Sequence, residues 1–196
     1  MLIDLSLPLT RKTFDALSAT TATLPHPALE LFGHVGTHLD LMGKAWPQEY
    51  FTRQGRVFDV RHVRGRDITA SDLPMQDIEA EDFVFLRTGV LEEHAYADKA
   101  YVHTPVELAW ELLETLTQQG VAMIGVDCAG VRLPGEHRKA DLFCAEAGTF
   151  VVENVYNLEA LCMAAGEKTF VVRTFPLRLE GSTGLPCRIV AELAAD

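Results

Sequence analysis

The run His34-Val-Gly-Thr-His38-Leu-Asp40 contains, within seven residues, three side chains able to bind a metal ion. Two imidazoles and a carboxylate suit zinc, manganese or iron, and they leave coordination positions for water or substrate. Gly36 lies between the histidines, and a glycine-containing loop can aim successive side chains at one point. The run therefore predicts a metal site built on a loop. The alternative to a metal site is three unrelated polar residues near a turn.

Strand-like runs recur on both sides of this segment, and helical patterns are few. The strand-like runs are Leu2–Leu5, Leu29–His34, Val57–Val63, Asp82–Arg87, Val121–Val126, Thr149–Glu153, Thr169–Thr174 and Arg188–Ala191. The clearest helix begins at Thr104-Pro-Val-Glu107, which offers an N-cap, an N1 proline and a capping-box glutamate, and it ends at Gly120. A shorter helix is expected over Glu136–Ala147. This pattern predicts an α/β domain with a mixed central sheet flanked by a few helices.

Length and charge narrow the class of protein. The chain has 196 residues, and we expect one domain over 1–196 with a buried core. Its 28 acidic and 17 basic residues give a net charge of −11, which argues against nucleic acid and against an anionic membrane surface as partners. A small-molecule substrate or a protein partner remains open.

The sequence also carries signals of compartment. It has no uninterrupted apolar stretch of about 18 residues, and Met1-Leu-Ile-Asp4 lacks the layout of a secretory signal. The four cysteines are widely spaced, with no Cys-x-x-Cys pair. We expect buried, reduced thiols in a cytoplasmic protein.

The metal-binding run is similar to the His-x-Gly-Thr-His-x-Asp signature of the metal-dependent cyclase family, which includes bacterial kynurenine formamidases. Further segments resemble that family, in the same order along nearly the whole chain. They are Ile3-Asp-Leu-Ser-Leu-Pro8, Ile124-Gly-Val-Asp127, Glu153-Asn-Val-Tyr-Asn-Leu158 and the run from Pro176 to Arg188. The resemblance implies a swivelling β/β/α-type domain that assembles as a homodimer or homotetramer.

The resemblance also implies amide or lactam hydrolysis at one or two divalent metals. In the family, the residues that match His34, His38 and Asp40 hold the first metal. The residue that matches Asp40 can bridge to a second metal, which a histidine and the glutamate matching Glu153 complete.

Two positions depart from the family pattern. Lys44 stands where the family has a proton-transferring histidine, and Asp141 stands where it has the second-site histidine, twelve residues before the glutamate. His137 lies four residues earlier and could substitute only if the loop were rearranged.

Both departures change the charge of the expected pocket. Three carboxylates in one pocket repel each other and require a cation. That cation is either a second metal such as magnesium or manganese, or the ammonium of Lys44. Because an ammonium beside a divalent metal is unfavourable, we favour one zinc or manganese ion per chain, with Lys44 bound to the carboxylates. The predicted metal-site residues are His34, His38, Asp40, Asp141 and Glu153, and the predicted catalytic residues are Lys44 and Glu153.

The functional prediction is a metal-dependent hydrolase. Metal-activated water would attack the amide or lactam carbonyl of a small molecule, or an ester or lactone, while Glu153 moves protons. The rival hypothesis is a non-catalytic metal or small-ligand binding protein on the same scaffold. The missing histidine supports that rival and argues against kynurenine formamidase activity itself.

Overall fold

An eight-stranded mixed sheet organises the chain, whose computed structural model describes residues 1–10 and 27–194. The strands are β1 (Leu2–Asp4), β2 (His38–Asp40), β3 (Thr52–Asp59), β4 (Phe83–Arg87), β5 (Met123–Val126), β6 (Phe150–Glu153), β7 (Phe170–Pro176) and β8 (Gly184–Glu192). The α-helices in the described ranges are α1 (Pro27–Gly33), α2 (Val90–Glu93), α3 (Lys99–Val102), α4 (Trp110–Gln118), α5 (His137–Glu146) and α6 (Leu158–Ala165). Single turns of 3-10 helix span Gln48–Phe51, Ala70–Asp72 and Met75–Asp77. Within the described ranges, no helix has the length and apolar character needed to cross a membrane.

Strand β8 closes the sheet into a ring. The strand order is β1-β8-β2-β6-β5-β4-β3-β7, and β8 also pairs with β7. One edge of β8 holds β7, while its other edge pairs first with β2 and then with β1. The strands β3, β4, β5 and β6 run parallel to their neighbours in that series, and the remaining pairs are antiparallel. The predicted mixed sheet with a few helices is confirmed, and its closure is an addition that the sequence pattern did not indicate.

Alternate residues of the central strands face two different hydrophobic clusters. Phe83 and Phe85 of β4 join a cluster with the strands around them and with α6. Val84 and Leu86, which point the other way, pack with α4. Burial on both faces explains why these strands read as continuous apolar runs.

Helix α4 begins later than its capping signals predict. It starts at Trp110, because the preceding backbone is used in tertiary hydrogen bonds: Leu108 N–H donates to Val131 O, and Ile68 N–H donates to Glu107 O. The Glu107 carboxylate accepts the N–H of Leu133 and therefore does not cap the helix. The predicted apolar face is present, since Leu112, Leu113 and Leu116 are fully buried. Helix α5 agrees with its prediction to within one residue at each end.

The predicted strand over Leu29–His34 is wrong. The chain forms helix α1 from Pro27 to Gly33, and His34 follows its end. A proline at the first position favours a helix start, and the short apolar run gave no periodicity to oppose a strand. Gly33 allows the helix to approach the sheet, because a Cβ there would lie 2.8 Å from the carbonyl oxygen of Gly184.

Gly125 of β5 lies against the stacked rings of Phe83 and Phe85 on β4, so a substitution there probes how tightly the sheet is packed. A Cβ at this position would lie 2.7 Å from Phe85 and 2.9 Å from Phe83, whose rings stack with centroids 4.0 Å apart. We expect Gly125→Ala to lower the free energy of unfolding by about 1–3 kcal/mol through overpacking. Urea denaturation measures this change. The matched control is Gly135→Ala, where a Cβ meets no atom within 4 Å, and equal losses in both variants would contradict the prediction.

Candidate metal centre

The pairing of β2 with β6 brings three polar side chains together. His38 and Asp40 lie two residues apart on β2 and share one face of the sheet, and Glu153 of β6 is the direct partner of His38. His38 Nε2 lies 3.5 Å from Glu153 Oε2 and 3.7 Å from Asp40 Oδ1. All three side chains are buried.

His34 joins this group from the end of α1. Its Nδ1 lies 3.3 Å from Asp40 Oδ1, and its Nε2 lies 3.0 Å from the hydroxyl of Thr183. The ligand atoms of His34, His38 and Asp40 all lie within 4.8 Å of one another. The structure thus brings the three predicted ligands together, and metal binding by them stays a prediction.

A second group of the same size adjoins the first. His137 and Asp141 lie one turn apart on α5, and His137 Nε2 is 3.1 Å from Asp141 Oδ2 and 3.0 Å from Glu153 Oε1. The ligand atoms of His137, Asp141 and Glu153 also lie within 4.8 Å of one another. Asp141 and Glu153 share this group next to Asp40, as predicted. His137 reaches it without any loop rearrangement, because it is on the helix that carries Asp141, a turn earlier.

The predicted pairing of Lys44 with the carboxylates of the centre is wrong. Its side chain is exposed and makes no ion pair with a carboxylate of the described chain. It lines a separate depression of about 550 Å³, beside Trp46 and Leu177. The physical reason is a tight turn after Asp40, in which Met42 and Gly43 have positive φ and Lys44 N–H donates to Leu41 O. This turn directs the chain towards the surface before Lys44 is reached.

His137 occupies the position among the carboxylates that was predicted for Lys44. Burial opposes its protonation, but the carboxylates of Glu153 and Asp141 outweigh this effect and raise the pKa of His137 to about 12. Burial raises the pKa of Asp141 to about 7, and the charges of Asp40 and Glu153 add to the effect of burial. Burial tends to raise the pKa of Asp40, but the neighbouring His38 and His34 hold that pKa below its usual value.

The residues present fit a divalent cation. Two buried carboxylate oxygens, Asp40 Oδ2 and Asp141 Oδ1, have no hydrogen-bond partner among the described residues. A buried carboxylate without a partner is costly, and a cation would remove that cost. Glycines leave room beside the ligands, because a Cβ at Gly130 would lie 2.7 Å from His137. The mixture of imidazole and carboxylate is the set expected for zinc or manganese.

A cavity of about 280 Å³ opens onto both groups. Its polar side consists of His34, His38, His137, Glu153 and Asn154. Its other side is largely apolar and consists of Tyr96, Ala97, Tyr101, Val102 and Ala129. The two tyrosines could not be assigned to the site from the sequence, because they lie far from the motif and belong to no recognisable pattern of their own.

The fold is shared with solved structures of several hydrolases. A "potential metal-dependent hydrolase with cyclase activity" superposes with a TM-score of 0.69 at 19% identity, covering 97% of this chain and 96% of that one. A "predicted metal-dependent hydrolase from Bacillus stearothermophilus" gives 0.67 at 19% identity, covering 97% of both chains. Isatin hydrolase A from Ralstonia solanacearum gives 0.66 at 21% identity, covering 81% of this chain and 72% of that one.

The class defined by this fold is therefore that of the cyclase-like α/β proteins. Residues 3–131 match the model of the Cyclase family, described as "Putative cyclase", and the chain belongs to that family. The resemblance stated from the sequence is confirmed. The comparison with curated proteins gives no match.

Replacement of His137 tests the charge balance of the centre. In the metal-free protein, His137→Ala leaves the buried carboxylates of Asp141 and Glu153 without their cationic partner. We expect it to lower the free energy of unfolding by about 1–3 kcal/mol. Lys44→Ala should change it by less than about 0.5 kcal/mol, because this side chain is exposed. Urea unfolding of both variants in the presence of a chelator measures the difference, and a larger loss for Lys44→Ala would restore the role first predicted for it.

Proposed function

We propose that this protein is a metal-dependent hydrolase that cleaves an amide or lactam C–N bond of a small molecule, or an ester or lactone. The observation that carries the proposal is the pair of adjoining ligand groups at the floor of one cavity, with two buried carboxylate oxygens lacking hydrogen-bond partners among the described residues. Family membership and the names of the structural neighbours support the same reaction class.

His34, His38 and Asp40 would hold one divalent ion, zinc or manganese. Such an ion supplies Lewis-acid activation of a water molecule and of the substrate carbonyl. The second group can either bind a metal ion or stay protonated, and it cannot do both at once. His137, Asp141 and Glu153 would either hold a second ion, or keep a proton on His137 between the two carboxylates. If it binds metal, the chain holds two ions instead of the predicted one. If it stays protonated, His137 is the cation of the pocket.

Glu153 is suited to proton transfer because it lies between the two groups. One of its oxygens faces His38 and the other faces His137, so Glu153 can take up a proton on the His38 side while protonated His137 Nε2 donates to its other oxygen. The hydrogen bond to Asp141 orients the His137 ring. His137 is also 31% exposed at its side chain, which gives it access to the cavity. Together these residues supply the acid–base function that the family assigns to the histidine replaced by Lys44.

The cavity suits a small substrate with an apolar portion. Tyr96, Tyr101 and Val102 would contact that portion, while the reacting carbonyl faces the histidines. A homodimeric or homotetrameric state remains a prediction, for which sedimentation analysis is the measurement.

Activity after metal exchange tests the proposal. Chelator-treated protein, reloaded with zinc or manganese, should hydrolyse members of a panel of cyclic amides, N-acyl amides, esters and lactones. Glu153→Gln should lower kcat by about 10²–10⁴-fold, the usual contribution of a general acid–base group. Glu146→Gln is the matched control, because this exposed glutamate ends α5 and makes no contact with the centre.

Metal stoichiometry, measured on the same samples, separates the alternatives. Two ions per chain would indicate that the second group binds metal, and one would indicate that it keeps its proton. Tight metal binding without turnover of any panel member would favour the rival function, a metal or small-ligand binding protein. Failure to bind metal at all would contradict the hydrolase and leave only the small-ligand form of the rival.

A further inference from the structure

His38 has a second set of contacts, on the side of its ring that faces away from the proposed metal. Its Nδ1 lies 3.0 Å from the carbonyl oxygen of Gly36 and 3.3 Å from Asn154 Nδ2. Asn154 Nδ2 donates to the same carbonyl at 2.8 Å, and Asn154 Oδ1 accepts a hydrogen bond from the hydroxyl of Tyr101. His38, Asn154 and Tyr101 are each at most 3% exposed. We call this set the histidine clamp.

The chemistry of the clamp allows one arrangement of protons. The Gly36 carbonyl accepts hydrogen bonds and cannot donate one, so the amide nitrogen of Asn154 and not its oxygen must face it. Asn154 Oδ1 then faces Tyr101, whose hydroxyl is left to donate. The same carbonyl, at 3.0 Å, requires the His38 proton to lie on Nδ1. In the neutral ring the lone pair of His38 is then on Nε2, the atom that faces Asp40 and Glu153.

The backbone of Gly36 is held by contacts that do not involve His38 or the Asn154 side chain. Its N–H donates to the hydroxyl of Tyr96 at 2.9 Å, and its φ of +67° is a conformation that glycine adopts without strain. The Thr37 hydroxyl donates to the backbone oxygen of Asn154 at 2.7 Å, which ties this loop to the end of β6. The carbonyl that orients His38 is therefore held from both sides.

We propose that Asn154, held by Tyr101, is a positioning residue that fixes the His38 ring with its proton on Nδ1, so that Nε2 is presented to the metal. The predicted effect on metal affinity rests on the proposed function, whereas the predicted position of the His38 proton does not. Neither residue belongs to the two groups of predicted metal ligands. Their effect passes through the Gly36 carbonyl and the imidazole ring, as is typical of residues that orient metal-bound histidines.

Two asparagines with the same backbone geometry allow a matched test. Asn154 and Asn157 both have a φ of 57°, so replacement by glycine preserves the backbone conformation at each position. Asn154→Gly removes the clamp amide. Asn157→Gly removes an exposed side chain whose amide donates to Asp4 O, away from the centre. Tyr101→Phe is a second variant, which removes only the hydroxyl that anchors Asn154.

The direct readout is the position of the His38 proton in the metal-free protein. Long-range proton–nitrogen NMR, at a pH where the imidazole is neutral, should show a single Nδ1–H tautomer in the wild type and in Asn157→Gly. Asn154→Gly and Tyr101→Phe should show a mixture of tautomers. An unchanged Nδ1–H tautomer in both of these variants would overturn the proposal.

Zinc affinity, measured by competition with a chromogenic chelator, is the second readout. It should fall about 10–100-fold in Asn154→Gly and remain unchanged in Asn157→Gly. Equal affinities in the two variants would overturn the positioning role at the metal. If the wild type binds no zinc but the tautomer changes as expected, the proposed function fails while the clamp is supported.

Discussion

The buried negative charge of the centre is the constraint on which the rest of the structure depends. Asp40, Asp141 and Glu153 are each at most 5% exposed and belong to adjoining groups. Two unit charges about 4 Å apart interact by roughly 4 kcal/mol at the effective dielectric constant of a protein surface, so their repulsion is large on the scale of folding stability. Three histidines therefore surround the carboxylates: His34 and His38 come from one short motif and His137 comes from α5. The register between β2 and β6 places Glu153 beside His38, and the position of α5 brings His137 and Asp141 next to them.

The position of the first ligand group could be predicted from the sequence because its members are close neighbours in the chain. Family resemblance supplied Glu153 and Asp141 in the same way, through short motifs. Lys44 was misplaced because a fixed spacing says nothing about the turn at Met42 and Gly43, which directs the chain outwards. His137 could be placed from the sequence, because the predicted helix over Glu136–Ala147 puts it one turn before Asp141 and on the same face.

The fold shows the same division between local and non-local information. The mixed sheet and α5 follow from patterns within short windows. The start of α4 does not, because Leu108 and Glu107 form hydrogen bonds with segments distant in sequence, which outweigh a good local cap. The wall formed by Tyr96 and Tyr101 could not be found at all, since only the folded chain brings it to the metal-binding loop.

Consecutive residues at the end of β6 contact opposite sides of His38. Glu153 lies near Nε2, and Asn154 lies near Nδ1. In a regular strand their side chains would point to opposite faces of the sheet. The left-handed backbone conformation of Asn154 changes this direction, and asparagine is one of the few residues that tolerate it. One irregular residue thus lets a single strand end contact both nitrogens of the ring.

The double pairing of β8 has a consequence for how the protein is made. His38 and Asp40 pair with residues 186 and 184 of β8, which lie more than 140 residues further along the chain. At a synthesis rate of about 5–20 residues per second, a ribosome needs roughly 7–30 s to deliver that partner after β2 has been made. During this interval the edge of β2 that β8 will cover is open, and the carboxylates have only part of their final surroundings. The surroundings of the centre can therefore be completed only late in synthesis, after β8 has been made.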